Sequence, residues 1–383
     1  MANTPLVDLL LMGRERDLSS ERGVSCDGEL PTASNPDLVA RAVAARAALG
    51  SRAMILGHHY QRDEVIAFAD ITGDSFKLAQ AAASNPEAEF VIFCGVHFMA
   101  ESADVLTTDR QKVILPDLAA GCSMADMAAA NQVNAAWREF ERLGIAARTI
   151  PVTYMNSSAA IKAFTGEHGG TVCTSSNAER GMNWALEQGE KIFFLPDQHL
   201  GRNTAVLKLG LSLSDCVIWN PWKPNGGLTD QEILDAKIIL WRGHCSVHGR
   251  FSLQNVRDVR ERIPGVNVLV HPECQHDVVS SADLVGSTEF IIETIRTSSP
   301  GSKWAIGTEL NLVQRLANEF GDREIVFLDK TVCYCSTMNR IDLPHLVWAM
   351  ETLLTGRIVN QISVDPTVAH FSRVALERML ALP

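Results

Sequence analysis

The chain has 383 residues, 46% of them hydrophobic, which is enough for a core spread over two or three domains. It carries 34 Lys and Arg against 45 Asp and Glu, a formal net charge of -11, so nucleic acid and anionic membranes are not expected as partners. An anionic small substrate is still compatible with this charge, because a local site can be positive on an acidic protein. Nine cysteines, an odd number, argue against a disulfide scaffold and favour a reducing cytoplasm.

The N-terminal region is expected to be a loosely ordered leader over residues 1–35. It contains a short apolar run, but no basic region precedes that run and no clear small-residue cleavage site follows it. No segment of the sequence approaches the roughly 20 apolar residues of a membrane-spanning helix. We therefore expect no membrane partner.

From about residue 50, short Val- and Ile-rich runs alternate with longer helical patterns, which is typical of parallel sheets covered by helices. The alternation occurs three times, with four predicted strands in each series. The strands of the first series lie within residues 52–60, 69–75, 89–96 and 112–117. Those of the second lie within 148–156, 171–177, 191–198 and 216–220, and those of the third within 267–273, 282–288, 303–309 and 324–329. A cysteine follows each series: Cys122, Cys245 and Cys335.

The three series keep the same order of polar strand ends, small-residue turns and cysteines, which favours an internal repeat. Similar strand spacings also occur in unrelated α/β proteins, so the shared order is the stronger argument. The second series is longer than the others. Its excess coincides with a Pro- and Gly-rich stretch at 220–230, which predicts an inserted surface loop.

Polar side chains end the first predicted strand of each series. They are His58, His59 and Tyr60, then Tyr154 and Asn156, then His271 and Glu273. A single His or Tyr in such a position usually has a structural role. However, ligands of open parallel sheets bind beyond the carboxyl ends of the strands, and here the polar ends recur in all three series. These residues are therefore candidates for one shared site.

The second predicted strand of each series ends in small polar residues before a helix. They are Asp74 and Ser75, then Thr174, Ser175 and Ser176, then Ser287 and Thr288. Helix capping alone could explain each turn. The free N–H groups and the dipole of a helix N-terminus also bind anions, so three such turns around one centre would suit a substrate with carboxylates or a phosphate. No P-loop or convincing GxGxxG motif indicates a nucleotide.

Cys122, Cys245 and Cys335 lie in loops between a strand and a helix, at matching points of the repeat. Structural zinc sites usually use closely spaced cysteine pairs, which are absent from this set. An iron–sulfur cluster ligated by three cysteines, with one iron left open as a Lewis acid, explains better why the set contains three cysteines. Cys333 is an alternative to Cys335 that spacing alone does not distinguish. A zinc or iron–sulfur sensor is a rival interpretation, but the sequence lacks the basic helix of such proteins.

These residues occur in strings that resemble the quinolinate synthase family of bacterial NAD biosynthesis. The strings are ILGHHYQ (55–61), GDS (73–75), AGCSMADM (120–127), YMNSS (154–158), CTSSNA (173–178), RGHCSVH (242–248), HPEC (271–274), GST (286–288) and CSTMNRIDLPHL (335–346). The resemblance implies an α/β fold of three pseudo-threefold-related αβα domains, with small parallel sheets around a central active site. The corresponding division is a leader over 1–35 and domains over 36–121 with 336–383, 122–244 and 245–335.

The resemblance also implies an enzyme that condenses iminoaspartate with dihydroxyacetone phosphate to form quinolinate, releasing phosphate and two waters. It implies a [4Fe-4S] cluster held by Cys122, Cys245 and Cys335, whose open iron assists the last dehydration. Cys335 is preferred to Cys333 because the third cysteine of the family precedes a methionine at the third following position, here Met338. The alternative is another iron–sulfur hydro-lyase that acts on a hydroxy-acid.

The resemblance assigns catalytic roles to Glu273 as a base and Tyr60 as a proton-transfer partner, with His58 and His271. The residues implied to bind substrate are His58, Ser75, Tyr154, Asn156, Ser175, His271, Glu273 and Thr288. The expected partners are the two anionic substrates, with a functional link to an aspartate oxidase or dehydrogenase.

Two positions depart from the family pattern. His59 stands where relatives often have Asn, and Glu289 where they often have Gly. The geometry of the neighbouring anion site is therefore expected to differ locally from that of relatives.

Overall fold

The computed structural model describes residues 30–331 and 334–382. Most of the predicted leader and Cys333 lie outside the described residues. Within these ranges the chain forms three small sheets flanked by helices, which confirms the predicted mixed α/β class. The strands are β1 (Ala53–His58), β2 (Ile71–Gly73), β3 (Phe90–Cys94), β4 (Lys112–Ile114), β5 (Thr149–Tyr154), β6 (Thr171–Cys173), β7 (Lys191–Leu195), β8 (Cys216–Trp219), β9 (Ile238–Trp241), β10 (Asn267–Val270), β11 (Leu284–Val285), β12 (Lys303–Gly307), β13 (Glu324–Phe327) and β14 (Gln361–Ile362).

The helices connect successive strands and cover the sheets. They are α1 (Leu38–Leu49), α2 (Asp63–Ile66), α3 (Ser75–Ser84), α4 (His97–Leu106), α5 (Ala130–Arg142), α6 (Ala159–Glu167), α7 (Ala178–Gln188), α8 (Gln198–Leu207), α9 (Asp230–Asp235), α10 (Leu253–Arg262), α11 (His276–Ser281), α12 (Thr288–Thr297), α13 (Leu310–Glu319), α14 (Leu343–Leu354) and α15 (Pro366–Ala381). In the described part of the chain, none of these helices is both long and apolar enough to cross a bilayer.

The three sheets share the order of their first three strands, with the second strand of each series at the edge and the first strand between the second and the third. The first sheet runs β2-β1-β3-β4-β14, the second β6-β5-β7-β9-β8 and the third β11-β10-β12-β13. All neighbouring pairs are parallel except β14 with β4. Every residue of β1 and β3 is buried, as expected for parallel strands covered on both faces. The pseudo-threefold relation and the domain boundaries stay predictions.

The second sheet contains a strand that the sequence did not predict. β9 pairs with β7, and so takes the position that β4 and β13 occupy in the other sheets, whereas the predicted strand β8 lies at the edge. The extra length of this series therefore comprises a strand and α9 as well as the 220–230 loop. β9 was not predicted because it is a run of only four apolar residues shortly after a helix. Such a run is too short for its periodicity to distinguish a strand from a continuation of the helix.

Three helices begin at the predicted small-residue turns. Asp74 caps α3 by accepting N–H bonds from Phe76 and Lys77 at 3.1 and 3.0 Å. Ser287 caps α12 by accepting from the N–H of Phe290 at 3.3 Å. The matching helix of the second sheet, α7, begins directly after its turn. The first turns of α3, α7 and α12 thus leave N–H groups without intrahelical partners at the carboxyl edges of the three sheets.

The two C-terminal helices, α14 and α15, pack on helices that cover the first and the second sheet. Arg41 of α1 donates to both carboxylate oxygens of Glu351 in α14, at 2.8 and 2.6 Å. α15 packs so closely on α6 that a Cβ on Gly166 would lie 2.0 Å from the carbonyl oxygen of Phe371. This close approach explains why a residue without a side chain occupies the helix interior.

Candidate active site

One cavity lies where the carboxyl ends of β1, β5 and β10 meet, and it is lined by every residue to which the resemblance assigns a catalytic, substrate-binding or cluster-binding role. Of the other candidates at the strand ends and turns, Asp74 and Thr174 line it, whereas His59, Ser176 and Ser287 do not. Its lining includes His58, Tyr60, Ser75, Cys122, Tyr154, Asn156, Ser175, Cys245, His271, Glu273, Thr288 and Cys335. Each of the three sheets contributes a strand end, a turn and an adjoining cysteine loop. The structure therefore brings the residues with implied roles together, and their individual roles stay predictions.

The histidines that end β1 and follow β10 have matching environments. The backbone N–H of Tyr60 donates to Nδ1 of His58 at 3.1 Å, and that of Glu273 donates to Nδ1 of His271 at 3.3 Å. Burial lowers the pKa of each imidazole to about 3, with a further contribution from a neighbouring histidine. Both rings are therefore neutral at physiological pH. Because Nδ1 accepts, Nε2 carries the proton of each ring and is a hydrogen-bond donor.

Glu273 is a buried carboxylate at the centre of the site. Oε2 lies 2.5 Å from Nδ1 of His248 and 3.9 Å from Nδ1 of His271, and the Tyr154 hydroxyl is close enough to contribute to the pKa of the carboxylate. Burial by itself would raise the pKa of Glu273, but the histidines and hydrogen bonds outweigh that effect and lower it. The carboxylate therefore stays ionised at neutral pH and can accept a proton from a substrate.

A hydrogen-bonded chain joins Tyr60 to Glu273 through two residues that the sequence analysis missed. The Tyr60 hydroxyl lies 3.0 Å from Oγ1 of Thr288 and 2.8 Å from Oγ1 of Thr308. Thr308 Oγ1 also lies 3.1 Å from Nε2 of His248, which in turn contacts Glu273. Burial raises the pKa of Tyr60, so its hydroxyl is protonated at neutral pH. The chain thus links a protonated hydroxyl to an ionised carboxylate.

The two missed residues left only weak signals in the sequence. His248 is the third residue after Cys245, in the string RGHCSVH, and its imidazole stacks on that of His271 with 4.4 Å between ring centroids. Thr308 directly follows β12, a third strand of its series. Polar residues at the ends of third strands would have been found by extending the search beyond the first two strands of each series.

The three cysteines are free thiols that line the same cavity and interact electrostatically with one another. Burial raises the pKa of the Cys122 thiol to about 12 and also raises those of Cys245 and Cys335. Buried thiols of this kind lose their protons when a cation binds them. Cys245 also belongs to a group of potential ligands with His248 and Glu273, whose donor atoms all lie within 4.8 Å of one another. The donor set therefore fits a soft metal or a cluster.

A buried carboxylate contacts the backbone of one cysteine loop. Oε2 of Glu309 caps α13 by accepting from the N–H groups of Asn311 and Leu312 at 2.7 and 3.3 Å, and Oε1 accepts from the N–H of Cys335 at 3.3 Å. Asp197 caps α8 in the same way through Oδ1, and its Oδ2 has no hydrogen-bond partner among the described residues. Burial raises the pKa of Glu309 to about 7 and that of Asp197 well above its usual range.

The polar wall of the cavity, formed by Ser75, Asn156 and Thr288, has groups available to a ligand. Oδ1 of Asn156 is buried and has no hydrogen-bond partner among the described residues. Ser75 and Thr288 are the first residues of α3 and α12, so the positive ends of both helix dipoles point towards the cavity they line. The Ser176 hydroxyl donates to Asp74 at 3.0 Å, which joins the turns of the first and second sheets. This wall suits the anionic groups of a small substrate.

The two positions that depart from the family pattern contact each other. Nε2 of His59 lies 2.9 Å from Oε1 of Glu289, and their side chains are 12% and 39% exposed. The hydrogen bond to His59 lowers the pKa of Glu289. The pair connects the loop that carries Tyr60 to the first turn of α12, beside the Tyr60–Thr288 contact.

The chain is similar to known proteins over nearly its whole length. Residues 42–381 match the family described as Quinolinate synthetase A protein. A quinolinate synthase of Streptomyces coelicolor is 70% identical over 382 residues, which cover 99% of this chain and 97% of the relative. One from a Nocardioides species is 65% identical over 381 residues, covering 98% and 97%. One from a Geobacillus species is 55% identical over 356 residues, covering 92% and 95%.

The His59–Glu289 contact can be measured with a double-mutant cycle of His59→Asn and Glu289→Gln in urea unfolding. We expect a coupling free energy of about 1 kcal/mol, because the bond is partly buried and one partner is ionised. The control is the Arg296–Glu293 pair, in which both side chains are more than half exposed, at 56% and 59%. Its coupling is expected to be only about 0.3 kcal/mol. Equal coupling in the two cycles would show that the His59–Glu289 contact adds nothing beyond a surface pair.

Proposed function

The chain belongs to the quinolinate synthase family of enzymes, and from this premise we propose that it condenses iminoaspartate with dihydroxyacetone phosphate. The products are quinolinate, phosphate and two waters. The observation that carries the proposal is the single cavity in which an ionised carboxylate, a protonated tyrosine, two helix N-termini and three free thiols converge. Both substrates are anionic, and the reaction needs proton transfers and loss of water, which this set of groups is suited to support.

We propose that Cys122, Cys245 and Cys335 hold a [4Fe-4S] cluster. The fit is supported by three free thiols on one cavity, with no fourth cysteine among the described residues that line it. It is also supported by the hydrogen bond from the backbone N–H of Cys335 to the buried carboxylate of Glu309. When bound, such a cluster supplies an open iron as a Lewis acid for hydroxyl or carboxylate oxygens.

In the proposed substrate complex, the helix N-termini at Ser75 and Thr288 receive the anionic groups. Their backbone N–H groups and hydroxyls are donors, and the helix dipoles favour negative charge. Asn156 Oδ1, which has no protein partner among the described residues, accepts a hydrogen bond from a substrate N–H or O–H. Ser175 and Tyr154 complete the contacts from the second sheet. Two anionic substrates are thereby held side by side against the acid and base groups.

In the proposed proton transfers, Glu273 acts as the base and Tyr60 as an acid. The ionised carboxylate accepts a proton from a substrate carbon or nitrogen, and the protonated Tyr60 hydroxyl donates one to an oxygen that gains negative charge. His58 and His271 are neutral and present Nε2–H donors. They therefore stabilise negative charge that develops on a substrate oxygen by hydrogen bonding, without being cations themselves.

Two-electron oxidation of aspartate at its amino-bearing carbon yields iminoaspartate, so we propose a functional link to an aspartate oxidase or dehydrogenase. The cytoplasm is the proposed location. It is supported by the free state of the described cysteines, which is typical of a reducing compartment.

Product analysis tests the proposed reaction. Anaerobically purified protein is incubated with iminoaspartate and dihydroxyacetone phosphate, and quinolinate and phosphate are quantified by chromatography. We expect both to accumulate together in equal amounts. If the protein forms no quinolinate but dehydrates a hydroxy-acid, it is an iron–sulfur hydro-lyase of another kind and the proposal is wrong.

The role of Glu273 as the base is tested by Glu273→Gln, which keeps the shape of the side chain but removes the proton acceptor. Turnover should fall by about 100-fold or more, while the iron and sulfide content stays that of the parent protein. The matched control is Glu351→Gln in the contact between α14 and α1, which should leave turnover unchanged. Parent-like turnover of Glu273→Gln would exclude the carboxylate as the essential base.

A further inference from the structure

The segment Thr308–Glu309 follows β12, and both of its side chains are fully buried, with 0% exposure. Neither residue is part of the cavity lining. The two residues nevertheless contact different parts of the candidate site. Thr308 contacts Tyr60 and His248, and Glu309 contacts the backbone of Cys335. Two adjacent buried polar residues thus connect the acid–base groups with one of the thiols.

The hydroxyl of Thr308 bonds to an aromatic side chain on each side. Its Oγ1 lies 3.1 Å from Nε2 of His248, whose Nδ1 lies 2.5 Å from Oε2 of Glu273. Because one hydroxyl can donate a hydrogen bond and accept another, the same Oγ1 also bonds to the Tyr60 hydroxyl at 2.8 Å. One hydroxyl therefore sets the orientation of both aromatic side chains.

The contacts of Glu309 require a carboxylate rather than an amide. Oε2 accepts the capping bonds of α13, and Oε1 accepts the N–H of Cys335. Every one of these partners is a backbone donor, and only a side chain with two acceptor oxygens satisfies donors on both sides. A glutamine would place its NH₂ group against either the helix cap or the Cys335 N–H. Because the side chain at position 309 is fully buried, its NH₂ group would have no access to water there.

The second sheet also has a buried acid after its third strand. Asp197 follows β7, the counterpart of β12, and its side chain is fully buried at 0% exposure. Its Oδ1 caps α8 with bonds of 2.6 and 2.8 Å, but its Oδ2 has no hydrogen-bond partner among the described residues. Both acids therefore cap the helix that follows them, and Glu309 differs because its second oxygen accepts a hydrogen bond from the N–H of Cys335.

We propose that the segment Thr308–Glu309 is a positioning element with two separable roles. Thr308 aligns the Tyr60 hydroxyl with the His248–Glu273 pair. The acid, Tyr60, and the base, Glu273, are thereby held in position for proton transfer with the same bound substrate. Glu309 fixes the backbone of Cys335, so that its sulfur is held ready to bind the metal. The proposal rests on the proposed function, because it takes Tyr60 and Glu273 as the acid–base groups and Cys335 as a ligand.

The role of Thr308 is tested by Thr308→Val, which keeps the shape of the side chain and deletes the hydroxyl, and by Thr308→Ser, which keeps the hydroxyl. We expect Thr308→Val to lower kcat about tenfold or more with KM and iron content unchanged, and Thr308→Ser to restore most of kcat. Thr149→Val is the matched control, since this buried threonine at the start of β5 bonds only to the carbonyl of Ile145. Unchanged kcat in Thr308→Val, or no rescue by serine, overturns this role.

The role of Glu309 is tested by Glu309→Gln, with the rate of iron loss to a chelator as the readout. Residues that support a metal ligand typically change metal affinity 10- to 100-fold, so we expect loss about tenfold faster or more, with kcat per bound iron near that of the parent. Glu351→Gln is the control. Parent-like iron retention in Glu309→Gln overturns this role. Absence of quinolinate in the parent would instead refute the proposed reaction, and the chelator experiment would still report on Cys335.

Discussion

The contact between Glu273 and His248 is the interaction on which the rest of the site depends. A carboxylate that is 2% exposed would normally be protonated, because a buried charge loses its hydration. The histidines and the Tyr154 hydroxyl around Glu273 reverse that tendency and keep it ionised. From this carboxylate a hydrogen-bonded chain runs through His248 and Thr308 to the hydroxyl of Tyr60. The base and the acid of the proposed reaction are thus parts of one connected network.

The parallel sheets explain how distant residues reach this network. Each sheet presents its carboxyl edge to the same cavity, and each edge carries a polar strand end and a helix N-terminus. The cysteines lie in loops beyond those edges, so thiols that are 90 or more residues apart in sequence can approach one another. Contacts between turns of different sheets, such as Ser176–Asp74 and His59–Glu289, hold the edges together. The cavity is therefore a property of the three sheets jointly rather than of any one of them.

The sequence predicted much of this arrangement because its signals are local. Strand runs, polar strand ends such as His58, and turns such as Asp74–Ser75 can be read from a few consecutive residues, and the structure brings them to one cavity. The short strand β9 was missed because its apolar run has no distinguishing period. His248 and Thr308 were missed because their importance comes from partners in other parts of the fold. The ionised state of Glu273 depends on its burial and on the side chains that surround it in the fold, and neither can be read from the sequence.

The central claim is that three thiols around this cavity hold an iron–sulfur cluster beside the acid–base network. It is tested most directly by iron, sulfide and visible-absorption analysis of anaerobically purified protein, comparing the parent with Cys335→Ser and with Cys216→Ser, a cysteine at the start of β8 outside the cavity lining. The account predicts iron and sulfide in the ratio of a [4Fe-4S] cluster in the parent and in Cys216→Ser, and loss of the cluster in Cys335→Ser. An active, colourless protein with stoichiometric zinc, or a Cys335→Ser variant that keeps the cluster while Cys333→Ser loses it, would contradict it.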